Sequence, residues 1–329
     1  MRATRTEKMI NNSTDKSGLT LLEEWPVKEF LFVPSFMVAT ADDRVLMGDR
    51  DHNGCLLLDL NNHSCSKEKW HQPERIALQE KTGFLFPEKG ITDISASSTP
   101  EKTIAAVAAK GQYASCWQVG SNNGWVLDDH AHAVAVAPNA ASVAVGLGRW
   151  VLDSVSSAQA EVVIWDIPEN EILVRRKLPG SCVVQLLWIQ NEAEAFYNYT
   201  DGRGVDELII ATTVTRNQSE GFVAILDPLD LRIIEIADIP TADLLRPIAA
   251  WPQEGRIWAG GFRYLNEEFH EPWLQPSPEW APCMTNSRSV WLSENRLFRI
   301  ERNSDDQFIA QILGSLSPKD EETAEEISR

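Results

Sequence analysis

Acidic and histidine side chains stand close together at two places in the sequence, where metal binding or acid–base chemistry would need them. One stretch runs from Asp128 to His132 (Asp-Asp-His-Ala-His) and the other from Asp49 to His52 (Asp-Arg-Asp-His). A third stretch, Asp201 to Gly204, resembles half of a calcium loop, but no acidic pattern follows to complete it. We therefore predict solvated loops at these places, and we expect no bound metal and no cofactor.

Nucleophilic catalysis is not indicated by the sequence either. The serine-rich stretch Ser95 to Ser98 lacks the G-x-S-x-G pattern of a nucleophile elbow. The five cysteines are spread along the chain without a C-x-x-C pair, which argues against a zinc site and a disulfide framework. We therefore expect a protein that is not an enzyme.

The net charge of −18 limits the kinds of partner that the chain of 329 residues can have. An acidic chain repels the phosphate backbone, so nucleic-acid binding is disfavoured and a basic protein partner is electrostatically easier. No apolar run approaches the ~20 residues of a membrane helix, and the N-terminus has no apolar segment typical of a secretory signal. We expect a cytoplasmic protein that does not enter the membrane.

Short apolar runs separated by turns are the elements that would position these residues. The best-formed run, Glu161 to Ile167, has three β-formers, Val162 to Ile164, that lead into Trp165-Asp166. Pro168 to Asn170 predicts a tight turn, and Ile172 to Val174 predicts the next strand. Comparable runs end at Leu58-Asp59, Trp117-Gln118 and Leu226-Asp227.

Over roughly residues 19–313 this repeated pattern resembles the WD40-repeat family, whose blades carry a Trp-Asp dipeptide at the end of a strand. The apolar run and Pro-Asn turn from Ala133 to Asn139 add to the resemblance. The resemblance implies an all-β fold, a WD40-like β-propeller in one domain at 19–313, with flexible tails at 1–18 and 314–329. It also implies that His132, Ser142 and Trp165 occupy places of the hydrogen-bonded network within a blade, with Asp166 at the signature position.

The spacing of the signature positions gives an estimate of the number of blades. These positions fall at residues 59, 118, 166, 227 and 299, so the gaps between them are 59, 48, 61 and 72 residues. A WD40 blade takes about 40 to 45 residues, and hiding another blade needs a gap of roughly 80. Five blades is the best count, six is allowed if the longest gap conceals a compressed blade, and seven is disfavoured. Leu19 to Glu24 is predicted to pair into the last blade and close the ring; the alternative is that a partner protein completes an open ring.

An aromatic and proline-rich insertion at about 262–291 is the most distinctive segment of the chain. Its prolines keep it out of a sheet, and exposed aromatic side chains on loops often bind partners. The alternative is that the aromatic side chains fasten a long insertion to the propeller. The candidate partner-binding residues are Tyr264, Phe269, His270, Trp273 and Trp280.

These observations favour a non-catalytic protein-interaction scaffold, or a subunit of a multiprotein complex, that binds through propeller loops. The alternative is a propeller enzyme such as a glycoside hydrolase, in which two carboxylates meet in the central funnel. Asp42, Asp93 and Asp206 stand at the ends of predicted strands and are the candidates for that chemistry. Nothing in the sequence pairs them.

Overall fold

The computed structural model describes most of the predicted propeller domain. The described residues are 19–27, 34–40, 43–52, 54–74, 76–77, 90–110, 112–149, 159–190, 205–215, 220–240, 248–251, 256–258, 283–284, 289–293, 295–305 and 307–314. The tail predicted at 1–18 lies outside them, as does all but the first residue of the tail predicted at 314–329.

Regular structure in the described residues is dominated by β-strands. In chain order the strands are β1 (Thr20–Pro26), β2 (Phe36–Thr40), β3 (Arg44–Gly48), β4 (Cys55–Asp59), β5 (Ser64–Glu68), β6 (Asp93–Ser98), β7 (Thr103–Ala109), β8 (Tyr113–Gln118), β9 (Gly124–Leu127), β10 (Ala131–Val136), β11 (Ser142–Leu147), β12 (Glu161–Asp166), β13 (Glu171–Lys177), β14 (Cys182–Gln190), β15 (Glu207–Val214), β16 (Glu220–Leu226), β17 (Ile233–Pro240), β18 (Ala249–Trp251), β19 (Arg256–Trp258), β20 (Cys283–Met284), β21 (Ser289–Ser293), β22 (Arg296–Arg302) and β23 (Phe308–Gly314). The predicted all-β class is confirmed. Among the described residues, no helix combines the length and apolar character needed to cross a membrane.

These strands form five four-stranded antiparallel sheets and one three-stranded sheet. We number them as blades: blade 1 is β2 to β5, blade 2 is β6 to β9, blade 3 is β10 to β13 and blade 4 is β14 to β17. Blade 5 is β18 to β20, and blade 6 is β21 to β23 with β1. The first strands of neighbouring blades are in contact: β2 contacts β21 and β6, and β10 contacts β6 and β14. Sheets radiating from adjacent inner strands make the fold a β-propeller.

The N-terminal strand completes the last blade, as the sequence predicted. β1 pairs antiparallel with β23, from Thr20 opposite Gly314 to Pro26 opposite Ile309. A strand that comes from the start of the chain and completes the final sheet covers an edge that would otherwise stay unpaired.

The number of sheets agrees with both parts of the sequence estimate. Five sheets have the full four strands, and blade 5 is the compressed one. It lies between Asp227 and Arg299, within the 72-residue gap where a sixth blade was allowed. Its strands have two or three residues each, and their spatial order β19-β18-β20 departs from chain order.

The hydrophobic core lies between adjacent blades. Alternate residues of one strand therefore belong to different core clusters: Val143 and Val145 pack toward blade 2, whereas Ala144 packs toward blade 4. Since both faces of blade 3 are buried, its inner strands show the nearly continuous apolar runs seen in the sequence. Burying one such valine contributes about 1.5–3 kcal/mol.

Candidate functional site

Aspartate at the end of the third strand organises a turn in three blades. The side chain Oδ1 atoms of Asp59, Asp166 and Asp227 each accept a backbone N–H two or three residues further along the chain, at 2.9–3.0 Å. Hydrogen bonds from the Asn62 side chain and backbone also lower the pKa of Asp59. These aspartates stabilise the turn locally, so the signature position serves the architecture of the blade.

The Trp165 turn shows how its local sequence produces this geometry. Pro168 is suited to the first corner of a turn, and Asn170 adopts a left-handed φ of 53° that asparagine tolerates. Asn170 also accepts the indole N–H of buried Trp165 through its Oδ1 atom, at 3.2 Å. The polar end of this tryptophan is therefore satisfied inside its own turn.

The other predicted blade positions lie at two ends of blade 3. Ser142 is opposite Asp166 and next to the pair Val143–Trp165, so these residues share one end. His132 lies at the far end of β10, in an irregular step between the pairs Ala131–Leu147 and Ala133–Gly146. The structure brings Ser142, Trp165 and Asp166 together and does not bring His132 to them.

His132 is held neutral at physiological pH by its surroundings. Burial lowers its pKa to about 4, and the charge of His130 acts in the same direction. A backbone hydrogen bond at Gly148 opposes this shift without overcoming it. His132 is half-buried at this end of blade 3.

Polar side chains of β6, and of Thr92 just before it, bind the backbone of β10 and of Pro138 just after it in the next blade. β10 is the innermost strand of blade 3 and pairs with β11 on one side only, which leaves backbone groups along its other edge. Residues spaced two apart on one strand point to the same side, so they can satisfy this edge in series. The four bonds are Thr92 Oγ1 to His132 O at 2.7 Å, Val134 N to Asp93 Oδ2 at 2.9 Å, Val136 N to Ser95 Oγ at 3.0 Å and Ser97 Oγ to Pro138 O at 2.9 Å. We call this set the β6–β10 ladder.

The β6–β10 ladder gives a structural role to one of the three carboxylates considered for hydrolysis. Asp93 is fully buried, and its Oδ1 atom accepts the N–H of Ile94 at 2.7 Å while Oδ2 accepts that of Val134. Asp206 is exposed immediately before β15, on a different blade. Asp42 lies outside the described residues.

The stretch from Asp49 to His52 is only partly the solvated loop that the sequence predicts. Asp51 and His52 are exposed, but Asp49 is 5% exposed. Its Oδ1 atom accepts the N–H of Asp51 at 2.6 Å and of His52 at 2.8 Å, and its Oδ2 atom lies 2.7 Å from His52 Nδ1. Asp49 therefore shapes the loop, a role that needs an acceptor at the start of the turn.

A shallow cavity opens where the stretch Asp128 to His132 meets the loop that leaves β11. Its volume is about 170 Å³, and its lining residues are Asp129, His130, Leu147, Gly148, Arg149, Gln159 and Glu161. We call it the blade 3 pocket. Gly148 lines it at a φ of 147° and bridges to Cys182 of blade 4. A Cβ atom at Gly148 would lie 2.5 Å from the backbone of Cys182, so glycine is required for this close approach.

Opposite charges surround the blade 3 pocket. Arg175 on β13 places its Nη1 atom 3.1 Å from Glu161 Oε2 and 3.9 Å from Asp129 Oδ2. The Nη2 atom of Arg149 lies 2.9 Å from His130 Nε2. Because a guanidinium only donates, His130 Nε2 accepts in this bond. The rim thus offers donors and acceptors to a charged or polar ligand.

Sequence reasoning found the acidic half of the blade 3 pocket and missed the basic half. The sequence predicts a loop from Asp128 to His132. Arg149 and Arg175 are far from this loop in the sequence, so no local pattern places them beside it. Within the part of the chain that the structure describes, no group of three or more His, Cys, Asp or Glu side chains could hold a metal ion. The predicted partner-binding residues Tyr264, Phe269, His270, Trp273 and Trp280 all lie outside the described residues, so that prediction stays open.

Comparisons with known proteins match the chain through structure and not through sequence. No protein-family model matches it, and no curated protein matches its sequence. A chain of hydrazine synthase from Kuenenia stuttgartiensis is similar with a TM-score of 0.43 and 12% identity, covering 65% of this chain and 53% of that one. A chain of a mitotic checkpoint complex is similar with a TM-score of 0.46 and 9% identity, covering 85% of this chain and 76% of that one. The protein therefore spans about half the length of the hydrazine synthase chain.

Proposed function

We propose that this protein is a non-catalytic interaction module with WD40-type blades, acting as a scaffold or as a subunit of a multiprotein complex in the cytoplasm. The observation that carries the proposal is the blade 3 pocket, which presents charged groups of both signs on loops of a rigid propeller. Loops held by a rigid framework are where binding residues concentrate. Two further observations support it: the buried Asp93 carboxylate and the β6 serines are engaged by backbone, and aspartate turns recur at the signature positions.

The partner that fits best is a basic protein. The chain has a net charge of −18, and Asp129 and Glu161 line the blade 3 pocket, with Arg175 beside both of them. Lysine or arginine from a partner can pair with these carboxylates, and the long-range field accelerates their encounter. Nucleic acid and membrane surfaces are disfavoured by the same charge. The insertion with Tyr264, Phe269, His270, Trp273 and Trp280 is proposed as a second contact.

A charge-reversal pair tests this proposal. Arg149→Glu replaces an exposed cation of the pocket, and Lys102→Glu makes the same charge change in the turn between β6 and β7, at the opposite end of the neighbouring blade. Wild type and both variants are affinity-purified from the native host, and co-purified proteins are quantified by mass spectrometry. Binding is then measured directly with the purified partner.

We expect Arg149→Glu to tighten binding of the basic partner and to lower its Kd by about 5- to 30-fold, or about 1–2 kcal/mol, because the substitution replaces a repelling cation by a carboxylate beside Asp129 and Glu161. Lys102→Glu should leave the Kd within about twofold of wild type. Equal affinity of wild type and Arg149→Glu, weaker binding by Arg149→Glu, or an equal change in both variants would remove the blade 3 pocket from the binding surface. A protein that co-purifies with nothing and turns over a glycoside would overturn the non-catalytic proposal itself.

A further inference from the structure

The outer edge of blade 4 differs from the outer edges of its neighbours. β17 is the last strand in the order β14-β15-β16-β17, and among the described residues it pairs only with β16. The unpaired side of an outer strand presents a row of backbone N–H and C=O groups that another strand can bind. Proteins usually protect such an edge with cationic side chains, short length or irregular pairing.

The outer strands of blades 1, 2 and 3 carry these protective features. β13 ends in Arg175, Arg176 and Lys177, all exposed, and β9 has four residues. β5 has five residues, with Lys67 near its end. β1 has an irregular step and a terminal proline, as β17 does, but His63 of blade 1 contacts its Trp25 and Glu23.

β17 lacks cationic protection and is long. It has eight residues, contains no lysine or arginine, and pairs regularly with β16 from Glu235 to Pro240, beyond one irregular step. Ile236 is 41% exposed on this strand, and Leu229 in the turn that leads into it is 89% exposed. An exposed, β-branched outer strand whose outer side pairs with no described strand favours addition of another strand.

The charges on β17 indicate the chemistry of the added strand. Glu235 and Asp238 are both exposed, and because side chains alternate, they lie on opposite faces of blade 4. A neighbouring strand with lysine or arginine on both faces would place opposite charges beside them, and such cross-strand pairs favour the complex. A second copy of the same strand would bring further carboxylates to this edge, which disfavours self-pairing.

We propose that the outer edge of β17 binds an extended basic segment of a partner protein by strand addition. The inference rests on the proposed interaction function but uses a surface separate from the blade 3 pocket. The partner segment forms main-chain hydrogen bonds with β17, its β-branched side chains cover Ile236, and its cationic side chains pair with Glu235 and Asp238.

The experiment uses synthetic peptides as probes with the full chain. The basic probe is Thr-Lys-Val-Lys-Val-Val-Lys-Thr, which places lysine on both faces of an added strand; one control peptide has glutamate in place of lysine, and another has proline in place of the central valine. Backbone amide hydrogen exchange is followed at β17 and β13 with saturating peptide. Ile236→Lys places a cation on β17, and Leu173→Lys makes the same change at a 56% exposed leucine of β13.

We expect the basic peptide to slow exchange of amides in 235–238 by at least about tenfold and to leave β13 unchanged. The acidic and proline peptides should give no protection, Ile236→Lys should abolish it, and Leu173→Lys should retain it. Circular dichroism of both variants checks that the fold is intact. Absence of protection at β17, equal protection at β13, or dimerisation of the free chain that Ile236→Lys abolishes would overturn the proposal. Its failure would leave the Arg149→Glu result untouched, since that test concerns a different surface.

Discussion

Removal of the Asp93 carboxylate should destabilise the propeller by breaking the strongest step of the β6–β10 ladder. Asp93→Ala leaves the N–H groups of Ile94 and Val134 without these acceptors, at a position that is fully buried. A buried donor that loses its partner costs about 1–3 kcal/mol. Two such donors would together cost about 2–6 kcal/mol, and removal of the buried carboxylate recovers part of that cost. We therefore expect a loss of about 2–4 kcal/mol in the free energy of unfolding.

Matched variants separate the Asp93 contribution from general effects. Ser95→Ala removes one neutral acceptor, that of Val136 N–H, and should cost about 1 kcal/mol. Asp206→Ala deletes an exposed carboxylate and should stay within about 0.5 kcal/mol of wild type. Urea denaturation gives the free energies, and equal m-values show that the variants unfold from comparable native states. Amide exchange at Val134 reports the local loss.

The sign of the effect also bears on the alternative function. Residues retained for chemistry commonly reduce stability, so replacing a catalytic carboxylate tends to be neutral or stabilising. A ladder residue behaves in the opposite way. If Asp93→Ala proves as stable as Asp206→Ala, with unchanged amide exchange at Val134, the assignment of Asp93 to the contact between blades 2 and 3 is wrong.

Two further properties should follow from buried side chains. The pKa of His132 is lowered from 6.5 to about 4, so between these pH values the unfolded chain binds a proton at this residue and the folded chain does not. The free energy of unfolding should therefore fall as the pH drops from about 6.5 to 4, by up to about 3 kcal/mol. Urea denaturation across this pH range should show a flatter profile for His132→Gln, and an unchanged slope would contradict the assignment. Trp25 of β1 stacks on His63 at 4.2 Å and packs against blade 1, so Trp25→Ala should cost about 3–5 kcal/mol, measured as a fall in Tm. The exposed Leu22→Ala on the same strand should cost less than about 1 kcal/mol, and similar losses in both would argue against a specific role of Trp25 in closure.

Much of the fold was readable from the sequence because its signals are local. Apolar runs with turn residues between them predicted strands, and Pro168 to Asn170 predicted a turn that forms between β12 and β13. The N-terminal strand was predicted from the need of a propeller to close its last sheet. Blade 5 was less readable, because strands of two or three residues carry too little pattern to stand out.

The candidate site was predictable only in part because its contacts cross between blades. From the sequence, Ser95 and Asp93 are considered only for catalysis. Their side chains instead accept hydrogen bonds from the backbone N–H groups of Val136 and Val134, which stand 41 residues further along the chain. The local sequence pattern shows neither which polar side chains become buried nor which strand edges lack a neighbouring strand. His132 was placed in a network with Ser142, and the register of β10 on β11 puts them at opposite ends.

The sequence by itself determined the strands, their turns and the acidic character of the surface. These depend on side-chain alternation, on aspartate and proline in turns, and on composition, all of which are properties of neighbouring residues or of the whole chain. The tertiary structure alone decided that Asp93 is buried against β10 and that Arg149 and Arg175 meet the Asp128 to His132 stretch. It also decided that β17, among the described strands, has a neighbour on one side only. Each of these depends on which strands become neighbours when the sheets pack around the propeller.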